Sequence, residues 1–108
     1  MTLFERLAGQ GPSSEKIPIH GFIALLVSVN DGDITLAEAR TVLGLDTAQA
    51  AQALALFQAM QAHPRPREFI EWLFRMLVLA ELGYLPEKYR SEAAFTARVQ
   101  AEISRGAT

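Results

Sequence analysis

The chain contains no cysteine, so disulfides, thiolate nucleophiles and zinc-thiolate sites are excluded together, and the fold must be held by packing. It also lacks an excess of either charge. Ten basic residues are scattered among twelve acidic ones for a net charge of -2, too little and of the wrong sign to grip a polyanion. No apolar run reaches the ~20 residues that a bilayer span requires: Ile17 to Asn30 is interrupted by His20, and Met76 to Ala80 lies between Arg75 and Glu81. The first residues show no basic segment followed by an apolar run and a small-residue cleavage site, so no secretory signal is expected.

The motifs of enzymes are equally sparse. Phosphate loops and Gly-x-Gly-x-x-Gly are absent, and the two histidines, His20 and His63, belong to no metal-ligand pattern. Each has a local structural role available: His20 sits at a helix start, and His63 precedes a proline at a helix end where positive charge suits the dipole. Asp31, Asp33 and Asp46 fall at turns and caps, and no carboxylate lies in an apolar run where burial would prepare it for acid-base work. Asp31-Gly32-Asp33-Ile34-Thr35 with Glu38 partly matches a calcium loop. Setting Gly32 at the sixth loop position, however, puts Val27 and Val29 where oxygen ligands belong. The expectation is therefore no catalysis, no cofactor and no metal.

What is present is a helical pattern. With 108 residues and half of them apolar, the chain is long enough for one modest core and too short for two. Thr2 and Glu5 form a capping-box pair before Leu3, Phe4 and Leu7, and Gly9 and Gly11 stop this two-turn arm. Gly9 to Lys16 reads as a flexible link, so residues 1–16 form an arm able to reach a neighbouring molecule or fold back and close the bundle. Pro18 opens a second helix, apolar around most of its circumference, which ends at Asn30-Asp31-Gly32. Thr35 and Glu38 cap a short helix that Gly44 stops, and Asp46 with Gln49 caps a longer one over Thr47 to Ala62. The buried stripe of that helix reads as Ala50, Ala53, Leu54, Phe57 and Met60, with Gln49 and Gln52 on other faces.

His63-Pro64-Arg65-Pro66 ends it. A further helix over Arg67 to Leu82 carries Phe69, Trp72, Phe74 and Met76, with Gly83 past its end. The last starts near Ser91 and places Phe95, Val99 and Ile103 at helical spacing, with Glu102 on its outer side. The pattern predicts an all-α, compact orthogonal bundle of about five helices, organised as a single helical domain over residues 1–108.

Ile34 to Leu54 has the form of a helix-turn-helix, which brings in the alternative of a transcriptional regulator or antirepressor. Its second helix presents glutamines among alanines, and no positive side chain occurs from Thr41 to Pro64 to anchor phosphate. Nucleic acid is accordingly not expected as a partner. The surplus of apolar residues on the second and fourth long helices instead suggests partner contact or self-association, since a helix needs one apolar stripe to join a core. The candidate interface residues are Phe4 and Leu7 of the arm with Phe69, Trp72, Phe74 and Met76, aromatic residues and Met being favoured at interface centres.

The order Leu3-Phe4-Glu5-Arg6-Leu7, a Gly-rich link, Lys16-Ile17-Pro18-Ile19-His20-Gly21-Phe22, then Gly32-Asp33-Ile34-Thr35 and Leu43-Gly44-Leu45-Asp46, resembles small helical proteins encoded among the structural genes of tailed bacteriophages. About half the chain carries the likeness; Trp72 and Phe74 lie outside it. The resemblance implies a noncatalytic structural or assembly component of a tail or its fibres, present in the host cytoplasm during production and then in the virion, with a phage structural protein as partner. It implies no functional residues.

Overall fold

The computed structural model describes residues 1–84 and 91–106. Among these described residues six α-helices form a compact bundle: α1 (Leu3–Leu7), α2 (Ile19–Asn30), α3 (Leu36–Leu43), α4 (Thr47–Ala62), α5 (Pro66–Glu81) and α6 (Glu92–Gly106). No strand occurs among the described residues, and a 3-10 turn at Ser13–Glu15 interrupts the link after α1. The expectation of an all-α bundle holds, with one helix more than the approximate count. No helix among the described residues is long and apolar enough to cross a membrane.

Local chemistry sets the helix starts. Thr2, Thr35 and Asp46 each accept the N3 backbone N–H, and Glu5, Glu38 and Gln49 reach back to the cap N–H, so three capping boxes satisfy donors that helix geometry leaves orphaned. Gly44 ends α3 in the left-handed conformation at φ 63°, which a side chain adopts only at a cost. Pro66 occupies the first turn of α5, where its missing N–H is harmless.

Around α4 the tertiary structure is assembled: α1, α5 and α6 pack against it, while α2 lies on α5 and carries α3. The buried face of α5, Phe69, Trp72, Leu73, Met76 and Leu77, follows an i, i+3, i+4, i+7, i+8 stripe. Phe4 stacks on Phe95 with ring centroids 4.6 Å apart, and Trp72 stands between Phe69 and Phe95 at 5.8 and 6.4 Å, so α1, α5 and α6 share one aromatic cluster. The α4 stripe is rotated from its expected place. Leu56, Phe57, Ala59 and Met60 are buried, Ala50 and Ala53 are only partly covered, and Leu54 faces out.

The arm does not reach away. Leu3, Phe4 and Leu7 are buried against α4 and α6, and the link is pinned by the buried Ile17, whose N–H donates to Arg6 O at 3.2 Å. A two-turn helix cannot persist alone, and here the chain's own core supplies its support. The radius of gyration, 13.1 Å, is that of a compact chain of this length.

Candidate functional site: an apolar cleft between α2, α3 and α4

Five of the six candidate interface residues are unavailable to a partner: Phe4, Leu7, Phe69, Trp72 and Met76 are buried in the chain's own core. Phe74 is partly buried, its ring meeting the edge of His20 at 4.9 Å. The sequence signal for Phe69, Trp72, Phe74 and Met76 is apolar surplus on α5, and that for Phe4 and Leu7 is a two-turn arm in need of support. One stripe of the α5 surplus goes into the core, Ile70, Phe74 and Val78 pack partly against it, and Leu82 beyond the helix end remains exposed.

A different apolar surface remains open. α2, α3 and α4 leave between them a cleft of about 280 Å³. Its floor is Phe22, Leu26, Ala39 and Leu45, all buried; Leu25, Val29 and Leu43 form half-covered walls. Leu36 and Leu54, 40% and 39% exposed, stand at its rim. The space exists because α4 presents Ala50 and Ala53 where longer side chains would close the gap to α2. Arg40 is the one charged residue in the lining. Its Nε donates to Leu45 O at 3.3 Å and its Nη2 to Thr47 Oγ1 at 3.4 Å, two long bonds that hold the guanidinium beside the α3–α4 turn.

Two other depressions are less suited to a ligand. A trough of about 450 Å³ along α2 and α5 is larger, but half of its lining is Asn30, Asp31, Arg67 and Glu71 in open contact with water. The gap between α1, α4 and α6 holds about 80 Å³ and is walled by core residues such as Phe4 and Phe95.

No known protein family, curated protein or solved structure matches this chain. The cleft therefore has to be interpreted from its own chemistry.

Buried polar residues, missed by pattern reading, hold the cleft walls in place. Arg6 sits among Leu3, Phe4 and Leu7 yet is itself buried. Its Nε donates to Glu15 O at 2.7 Å, Nη1 to Gly44 O at 3.1 Å and Gln49 Oε1 at 2.8 Å, and Nη2 to Leu43 O at 3.3 Å. One guanidinium thereby ties α1 and its link to the C-terminus of α3 and the first turn of α4. Gln49 Nε2 donates to Met1 O at 2.9 Å, and Gln52 Oε1 accepts from Leu3 N–H at 2.7 Å. The two glutamines of the helix-turn-helix-like pair consequently bind the arm. In the Asp31–Glu38 turn Glu38 accepts from Thr35 N–H and Oγ1, and no three His, Asp or Glu side chains gather as a metal site among the described residues.

At the other end of α4, His63 and Glu102 are both buried, for Glu102 in contrast with the outer side expected for it. His63 Nδ1 accepts from Arg65 N–H at 2.9 Å, which puts the ring proton on Nε2, 3.7 Å from Glu102 Oε1. Gly106 permits this approach of α6, because a Cβ there would collide with the His63 ring. Hydrogen bonds from Arg105 hold the Glu102 carboxyl below the ordinary value of 4.5; burial opposes them, and the charges of Arg105 and Arg98 add to the lowering.

A group with a depressed folded-state pKa contributes stability above its unfolded value and loses it as pH falls through the folded value. Glu102, through its pairing with Arg105 on α6, is thus expected to contribute its stability fully at neutral pH and progressively less as pH falls below 4.5. Urea denaturation of the wild type and Glu102→Gln from pH 7 down to pH 3 reads this directly. The stability difference between them should shrink with acid, and a pH-independent difference would contradict the assignment.

Proposed function

We propose that this protein is a noncatalytic interaction or assembly component, and that the cleft between α2, α3 and α4 receives apolar side chains of a protein partner. The observation that carries the reading is an apolar recess of about 280 Å³ floored by buried side chains, with Leu36 and Leu54 partly uncovered at its rim. Leu36 and Leu54 keep 40% and 39% of their surface in water, so a partner that covers them recovers only that fraction of the roughly 1.5–3 kcal/mol of full burial for each. Resemblance of the chain's first half to small products of tailed-phage structural genes suggests that the partner is a tail or tail-fibre protein. A DNA-reading role has less support, since Gln49 lies buried under Arg6.

The test is paired affinity capture on the full chain and on Ala53→Phe, which fills the recess, with Leu54→Asp as a second variant at the exposed rim. A protein retained by the wild type at physiological salt should be lost from both variants while their circular dichroism stays unchanged. Equal retention by all three folded proteins would overturn the assignment of the cleft.

A further inference from the structure

The chemistry of the cleft also restricts what can sit in it, on the premise that the cleft is a docking site. Its lining is apolar apart from one arginine, Arg40, whose guanidinium is held beside the α3–α4 turn. An extended peptide laid there would bring backbone N–H and C=O groups that the apolar walls cannot satisfy, at a cost of about 1–3 kcal/mol for each buried group. A helix bonds its own backbone and presents only side chains, spaced i, i+3 or i+4, and i+7. Size points the same way. About 280 Å³, open on one side, falls just under the ~300–1,000 Å³ of pockets that enclose a small molecule, and suits a few side chains entering from a larger body.

Arg40 adds a charge requirement. Neighbouring acids are already used within their own helices, Glu38 on the Thr35 cap and Asp46 on Gln49 N–H, and no carboxylate pairs with Arg40 among the described residues. Its two bonds are long and go to neutral oxygens, and Nη1 is uncommitted among the described residues. A carboxylate is the group that a planar guanidinium binds best, through two parallel N–H donors. We propose that the element seated in the cleft is an amphipathic partner helix carrying Asp or Glu beside its apolar anchors, the carboxylate pairing with Arg40.

Selection from a displayed library of randomised helical peptides, using the full chain as bait and discarding peptides that also bind Ala53→Phe, tests this. The expected winners have apolar residues at helical spacing with an acidic residue on one flank, and Arg40→Glu should weaken them about tenfold. On Arg40→Glu as bait, the acidic flank should give way to Lys or Arg. Winners without charge preference, indifferent to Arg40→Glu, would overturn the helix-and-carboxylate proposal and leave the cleft as a docking site. Recovery of no cleft-dependent peptide would overturn both. So would an acyl ligand: sodium decanoate moving the methyl resonances of Leu36 and Leu54 while no helical peptide binds would assign the cleft to a small amphiphile.

Discussion

Phe4→Asp is expected to abolish the fold rather than to weaken an interaction. Phe4 is 1% exposed and stacked on Phe95, so removing its ring costs about 3–5 kcal/mol, and an unpaired carboxylate in its place adds several more. Together these approach the roughly 5–15 kcal/mol by which a domain is stable at all. Circular dichroism should show a large loss of helical signal, or a urea midpoint near zero. The same change at the partly buried Phe74 should cost much less. A Phe4→Asp protein that unfolds at the wild-type midpoint would mean that α1 does not pack in the core.

Arg6→Ala should be the most damaging substitution of a charged residue, at about 3–5 kcal/mol. It removes the donor shared by Glu15 O, Leu43 O, Gly44 O and Gln49 Oε1, and each buried acceptor left without a partner costs about 1–3 kcal/mol, less where water can replace the donor. Arg6→Lys should recover only a minor part, since one ammonium cannot span the directions that the guanidinium fork covers. Denaturation curves give the magnitude. Hydrogen exchange gives the place, with α1 and the α3–α4 turn losing protection together while α5 keeps its own. Loss confined to α1 would show that Arg6 does not link the two regions.

These residues also mark how far the sequence could be read. Caps were legible because their chemistry is local: Thr2 with Glu5, Thr35 with Glu38 and Asp46 with Gln49 form as their three-residue spacing predicts. The core stripe of α5 was legible in kind, since Phe69, Trp72 and Met76 are large and apolar, but sequence alone did not say whether an own core or a partner covers them. In α4 the alanines are spread around the whole helix and carry no period, so the side facing the core was set by α1, α5 and α6, and Leu54 was misplaced. Arg6, His63 and Glu102 were missed for a related reason. Each is buried by partners distant in sequence, and the residue itself is of a type that usually meets water. The cleft was hidden most completely, because what creates it is the smallness of Ala50 and Ala53 opposite α2.

Photo-crosslinking in cells that naturally produce the protein tests the docking cleft most directly. A benzophenone side chain introduced at Leu36 or at Leu54 stands at the rim, and one at the exposed Gln61 serves as a control elsewhere on α4. The account predicts that illumination joins both rim positions to the same second protein, that Gln61 yields no such product, and that adding Ala53→Phe eliminates it. Crosslinks of equal yield from Gln61, or a rim product that persists when the recess is filled, would contradict the cleft as the surface through which this protein works.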